Sequence, residues 1–307
     1  MTRVAAPEAL AAASGVVCAA PAKLNLYLHV TGKRADGYHL LDSLVAFAGV
    51  HDTVIAWEAG TLTLALQGPF AKHLASEGDN LVLRAARKLR ERAGVKTGAA
   101  LTLIKRLPVA SGIGGGSADA AAALRALDAL WRLRAGEADL AALGLELGAD
   151  VPVCLFARAA FVGGIVERIV AAPPLPQAFL VLANPMQAVS TAQVFAARSG
   201  AFSEAGRFSE IPQDLSELAL LLAMRRNDLA VAAMALCPEI SRVIGALVRS
   251  PGCKLARMSG SGATCFGLFA EEASAKRAAK DIAASEPGWW VAVAPLVTDT
   301  ADLDPAL

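Results

Sequence analysis

The chain has 307 residues, enough for one large domain or two ordinary ones, and its 29 Lys+Arg against 28 Asp+Glu leave a formal net charge of +1. That balance excludes a general electrostatic attraction for nucleic acid or an acidic membrane surface. With 55% hydrophobic residues and 19% charged ones, the chain can bury a substantial core, which excludes disorder as its global state.

The segment before Lys23 is Ala-rich, but Pro7 and Glu8 interrupt it. Val17 stands where a lipoprotein cleavage site needs a small residue, so no signal peptide is expected. Residues 22–30 alternate strictly. Leu24, Leu26, Leu28 and Val30 share one face, and Lys23, Asn25, Tyr27 and His29 the other, which predicts a half-buried strand. Ala35-Asp36-Gly37 supplies a turn. Val45–Trp57, Thr61–Leu66 and Ala99–Ile104 read as further strands. A helix is predicted over Asn80–Ala93, with Gly94 as its C-cap. After the glycine run Gly112–Gly116, apolar spacing from Ala120 to Trp131 predicts a helix ended by Gly136. Glu137–Leu147 is a second helix, closed by Gly148.

The stretch Ile169–Ala197 carries no charge, yet Pro173, Pro174, Pro176 and Pro185 break it into pieces too short to span a bilayer. It reads as loop, buried strand (Ala178–Ala183) and loop. Helices follow within Leu215–Ala235 and at Glu239–Val248 and Glu272–Ala284, with strands at Cys265–Phe269 and Trp289–Ala294. Strands and helices mixed without regular βαβ alternation predict an α+β fold. The proline cluster at 173–176 marks the boundary between an N-terminal domain, residues 1–170, and a C-terminal one, residues 171–307. Five cysteines (Cys18, Cys154, Cys237, Cys253 and Cys265) form no C-x-x-C pair. They fit a reduced, cytoplasmic compartment better than a disulfide framework or a zinc site.

The chemistry concentrates in one loop: Pro108, Val109, Ala110, Ser111, Gly112, Ile113, Gly114, Gly115, Gly116, Ser117 and Ala118. It joins a strand to a helix. Glycines let backbone N–H groups converge, and the helix N-terminus adds partial positive charge, which together make an anion cradle suited to nucleotide phosphates. Ser117 either caps the helix or reaches a phosphate or Mg²⁺, and Lys105 and Arg106 add to the local field. No Gly-Lys-Ser/Thr follows, the third glycine of G-x-G-x-x-G is missing, and H-R-D and D-F-G are absent. The common NTPase, dinucleotide and protein-kinase patterns are therefore not met. Asp150, in Leu147-Gly-Ala-Asp-Val-Pro, is either the N-cap of a following helix or a functional acid. Lys23 is either a solvated strand lysine or its partner. Met258-Ser-Gly-Ser-Gly-Ala-Thr is a second permissive loop.

Taken together, Ala22-Lys-Leu-Asn-Leu, Arg34-Ala-Asp-Gly-Tyr-His, Gly112-Ile-Gly-Gly-Gly-Ser, Leu147-Gly-Ala-Asp-Val-Pro and Ser259-Gly-Ser-Gly-Ala resemble the galactokinase, homoserine kinase, mevalonate kinase and phosphomevalonate kinase superfamily of small-molecule kinases. The resemblance covers nearly the whole chain. It departs at Ile113, where leucine is usual, a volume-conserving swap. The Asp-Gly-Tyr-His and Gly-Ala-Asp-Val-Pro stretches resemble most the branch that phosphorylates a cytidine diphosphate derivative in non-mevalonate isoprenoid biosynthesis.

The resemblance implies a two-domain α+β architecture. Its N-terminal mixed nucleotide domain and ferredoxin-like C-terminal domain would have the active site between them. It implies ATP as co-substrate, with Mg²⁺ expected but no ligand assignable, and a small-molecule partner with neither nucleic acid nor membrane. Monomer and homodimer both stay open. Residue by residue, it implies that Asp150 accepts the proton of the substrate's 2-hydroxyl, while Lys23 holds Asp150 as a carboxylate and stabilises the transferring group. The loop Pro108–Ala118 would hold ATP. Tyr38 would stack on cytosine and His39 hydrogen-bond it. Asn25 and Thr191 would contact the substrate, and Phe195 would stack on it. A mevalonate- or homoserine-type kinase and a nucleotide-binding sensor without turnover are the alternatives. The Tyr38-His39 pair argues against the first, and the presence of both Lys23 and Asp150 against the second.

Overall fold

In the computed structural model, residues 15–74 and 80–304 are described. The signal-peptide reading falls largely on residues 1–14, outside the described residues. The first strand, β1 (Val16–Lys33), pairs antiparallel with β2 (His39–Ala59) along nearly its whole length. It starts before the predicted strand and is buried on both faces from Cys18 to Val30. Alternation therefore does not separate core from solvent here. The polar face of Lys23, Asn25, Tyr27 and His29 is turned inward, where each side chain has a polar partner. The other face passes through successive hydrophobic clusters: Cys18 and Ala20 in one, Ala22, Leu24 and Leu26 in a second, Leu28 and Val30 in a third.

The following elements are β3 (Thr63–Gln67), α1 (Leu81–Arg92), β4 (Gly98–Ile104), α2 (Gly115–Leu130), α3 (Glu137–Leu147), α4 (Val151–Phe156), β5 (Ala160–Gly164) and β6 (Arg168–Ala171). The second half holds β7 (Phe179–Asn184), α5 (Thr191–Ala197), α6 (Leu215–Ala223), α7 (Ala230–Leu236), α8 (Glu239–Arg249), β8 (Cys253–Met258), β9 (Cys265–Phe269), α9 (Glu272–Ser285) and β10 (Trp290–Val297). The architecture is α+β. The main strand order is β3-β4-β2-β10-β7-β9-β8, with β1 and the β5–β6 hairpin attached through β2. β10 joins the halves. It pairs with β7 along Trp290–Pro295 and with β2 at Leu296 and Val297.

Two helices depart from the sequence expectation for visible reasons. α2 stops at Leu130 rather than at Gly136, because the Asp128 carboxylate accepts the Ala135 N–H at 2.9 Å and turns the chain through left-handed Arg132 and Arg134. Gly136 instead precedes α3 as its N-cap. The helical stretch Leu215–Ala235 is interrupted at residues 224–229, whose backbone serves the edge of β1. The Leu28 N–H donates to the Arg226 carbonyl, and the Asp228 N–H donates to the Leu28 carbonyl. Among the described residues, no single helix is long and apolar enough to cross a membrane. All five cysteines are free, and four of them are buried.

Candidate active site

Lys23 points from the inward face of β1. Asp150 occupies the N-cap position of α4, yet its side chain caps nothing. The carboxylate instead faces Lys23, with Nζ to Oδ2 at 3.1 Å. Burial of the pair is asymmetric: Lys23 is 4% exposed and Asp150 36%, so the carboxylate is the accessible member. Lys23 Nζ also donates to Asn25 Oδ1 at 2.9 Å, and Asn25 Nδ2 donates to Ser43 Oγ at 2.8 Å. This chain of bonds fixes the ammonium from behind.

The glycine loop lies directly against the pair. The Lys23 N–H donates to the Ile113 carbonyl at 2.9 Å. Gly114 is left-handed, at φ 62°, and a β-carbon there would stand 3.0 Å from Lys23 Cε. Gly114 is the N-cap of α2, so Ser117 sits at the third helical position and does not cap it. The first N–H groups of this 16-residue helix open toward the loop, which is the arrangement that attracts anions. Of the predicted loop residues, Ala110, Ser111, Gly112, Gly114, Gly115, Gly116 and Ser117 line a cleft of about 430 Å³ together with Lys23, Asn25 and Asp150. Ile113 and Ala118 turn their side chains into the core instead.

The second glycine loop meets the first backbone to backbone. A β-carbon at Gly112 would lie 2.5 Å from the Gly262 carbonyl oxygen. Ser259 Oγ accepts the Asn25 N–H and donates to the Gly112 carbonyl, both at 3.1 Å, so it ties β1 to both loops. Asn227 Nδ2 donates to the Met258 and Gly260 carbonyls at 2.9 and 2.8 Å and holds the second loop from below. Gly260 and Ser261 line the cleft, as does Thr191, whose Oγ1 lies 2.8 Å from Ser261 Oγ.

The aromatic residues lie at the edge of this arrangement. His39 stacks on Phe195, with ring centroids 5.1 Å apart and planes 24° apart. His39 shares a strand face with Leu41, and Phe195 a helix face with Thr191; both of those neighbours line the cleft, so the stacked pair continues its wall outward. Burial, with Lys33 and Arg198 nearby, lowers the His39 pKa and favours its neutral ring. Tyr38 is 64% exposed, in the turn that leads into β2.

Sequence reasoning missed a second cavity, of about 190 Å³, across the glycine loop. Asn80, Lys105, Val109, Gly116 and Asp119 are among its lining. Lys105 is not a free surface charge. It is buried, and its Nζ donates to Asp52 and Asp119 at 2.6 Å each. Burial alone would lower the Lys105 pKa, but the two carboxylates more than offset that and raise it. Burial pushes the Asp119 carboxyl up to about 8, with Lys105 opposing and Asp52 adding to the rise. The available signal was Asp119 on an otherwise apolar face at the start of α2, just past the glycines.

Comparison with known proteins supplies independent bearings. The family models for the GHMP kinases N terminal domain and the GHMP kinases C terminal match residues 80–158 and 201–287. A 4-diphosphocytidyl-2-C-methyl-D-erythritol kinase of Rhodospirillum rubrum is 54% identical over 296 residues, covering 96% of this chain and 97% of that protein. One of Cereibacter sphaeroides is 56% identical, covering 91% and 98%. Among solved structures, a 4-(cytidine 5'-diphospho)-2C-methyl-D-erythritol kinase superposes with a TM-score of 0.75 at 35% identity, covering 92% of this chain and 99% of that one. A homoserine kinase of Cytophaga hutchinsonii shares the fold, with a TM-score of 0.69 at 17% identity, covering 93% and 96%.

Proposed function

The chain belongs to the 4-diphosphocytidyl-2-C-methyl-D-erythritol kinase family of the GHMP kinases, and from that premise we propose that it transfers the γ-phosphoryl group of ATP to the 2-hydroxyl of 4-diphosphocytidyl-2-C-methyl-D-erythritol, giving the 2-phosphate and ADP in non-mevalonate isoprenoid biosynthesis. The observation that carries this reading is the 3.1 Å pair of Lys23 and Asp150 against the glycine loop in a single cleft.

In this reading the ATP phosphates lie along Ser111–Ser117, against the open N–H groups of α2. Asp150 accepts the hydroxyl proton as the oxygen attacks the γ-phosphorus. The bond from that phosphorus to the β,γ-bridging oxygen breaks, and ADP leaves. Lys23 offsets negative charge on the transferring group from a fixed, buried position, which needs no reorganisation during the reaction. Among the described residues no group of three or more His, Cys, Asp or Glu could hold a metal. Mg²⁺, which the kinase family leads one to expect, would enter with the nucleotide phosphates as part of the co-substrate.

The purine of ATP is assigned to the second cavity. That cavity shares Ala110, Gly115 and Gly116 with the catalytic cleft and has room for one base. On the acceptor side, Asn25 and Thr191 contact the substrate near the reacting end. The cytosine lies toward the His39–Phe195 pair, where a neutral imidazole offers both a donor and an acceptor, and Tyr38 closes over it. Residues 1–170 form the ATP-binding and catalytic unit, which also supplies Asn25, Tyr38 and His39 to the acceptor side, and 171–307 the unit that completes the acceptor site, meeting at the proline-rich connection before β7. The unpaired cysteines support a cytoplasmic location. A coupled assay with ATP and Mg²⁺ tests the whole reading. Turnover is expected with the cytidyl substrate and not with mevalonate or homoserine, and preference for either smaller alcohol would refute it.

A further inference from the structure

Lys105 lies between two buried carboxylates that are not equivalent. Asp52 Oδ2 accepts from Lys105 Nζ, and its Oδ1 accepts the N–H groups of Arg106 and Leu107. Both oxygens of Asp52 thus have donors, as befits an anion. Asp119 Oδ2 accepts from Lys105, but Asp119 Oδ1 has no partner among the described residues. Asp119 is 2% exposed and lines the second cavity. One ammonium cannot balance two buried carboxylates, and an uncompensated charge shielded from water is costly unless a proton neutralises it. The unequal bonding puts that proton on Asp119, where it can be shared with the Asp52 carboxylate or, because Oδ1 has no partner among the described residues, be offered to a ligand. The pKa of about 8 agrees with this. Lys105 and Asp52 are the charged groups that face Asp119. Cys154 of α4 also feels it, but burial pushes that thiol up to about 12, so it stays neutral.

We propose that Asp119 binds the nucleotide as a neutral acid, its Oδ1–H donating to a ring nitrogen of the purine, so that ATP affinity is linked to one proton. The proposal rests on placing the base in the second cavity. An ionised Asp119 would set a lone pair against the lone pair of the ring nitrogen. The sign follows directly: the donor exists below the folded-state pKa and is lost as pH rises through it. If only the acid form binds, the dissociation constant rises about tenfold between pH 7 and pH 9.

The test is calorimetric titration of the full chain with a non-hydrolysable ATP analogue at both pH values, in two buffers of different ionisation enthalpy. Wild type is expected to weaken by that factor and to take up a proton on binding at pH 9. Asp119→Asn keeps an N–H donor at the same place and is expected to lose the pH slope. A flat wild-type affinity without proton uptake, or a slope that survives in Asp119→Asn, overturns the proposal. Val109→Trp, which fills the cavity, separates the two layers. If nucleotide affinity is unchanged, the base lies elsewhere and the placement itself fails. If affinity drops while wild type shows no pH dependence, only the acid role of Asp119 fails. The wild-type measurement stands even if either variant does not fold.

Discussion

Gly114 shows how narrow the tolerances of the site are. Its left-handed backbone costs an L-residue about 1–2 kcal/mol, and a methyl group there would press on Lys23 Cε from 3.0 Å. Gly114→Ala is therefore expected to shift the ammonium away from Asp150. Misplacement of about 1 Å can cost roughly 10²-fold in rate, so steady-state kinetics should show kcat falling by one to two orders of magnitude. An unchanged kcat would mean that the position of Lys23 is unimportant. Asp150 is instructive at the same scale. Its place before Val151-Pro152 is that of a helix cap, and only the direction of its side chain, toward Lys23 and away from the α4 backbone, distinguishes the two roles.

Among the polar bonds between elements, those of the Ser259 hydroxyl join β1 to both glycine loops. Removing that hydroxyl leaves the buried Asn25 N–H without an acceptor, a loss of about 1–3 kcal/mol. Because Asn25 is two residues from Lys23 on the same strand face, Ser259→Ala is expected to lower kcat as well as stability. Urea unfolding together with kinetics checks both, and wild-type values for both would contradict the role assigned to Ser259. The same contacts explain what could be read in advance. The glycine loop stood out as a compact local pattern, whereas Lys23 and Asp150 each had an ordinary local reading and were singled out only through the family resemblance. The strands Ala160–Gly164 and Cys253–Met258 were not legible, because each is short and is defined by its partner (Leu41–Val45 for one, Cys265–Phe269 for the other) and not by its own alternation. The polar face of β1 was misjudged for a related reason. Alternation records that two faces differ, but a strand whose polar face meets Asp42, Ser43 and Asp150 is as buried as an apolar one. The second cavity was illegible because Asn80, Lys105 and Asp119 come from three separate segments that only folding brings together.

At the scale of the whole molecule, the catalytic cleft belongs to neither half alone. Lys23, Asp150 and the glycine loop come from the first half, and Thr191, Gly260 and Ser261 from the second. β2 and β10 make this possible by carrying one sheet across both, with Phe47 of β2 registered opposite both Lys23 and Val297. On the proposed function, transfer depends on the juxtaposition of one ammonium, one accessible carboxylate and one phosphate cradle. The most direct measurement is the single-turnover transfer rate of Asp150→Asn with the cytidyl substrate, alongside its affinity for a non-hydrolysable ATP analogue. The rate is expected to fall by roughly 10²–10⁴-fold with nucleotide affinity retained. A near wild-type rate accompanied by loss of stability would instead make Asp150 a structural residue and remove the base from the mechanism.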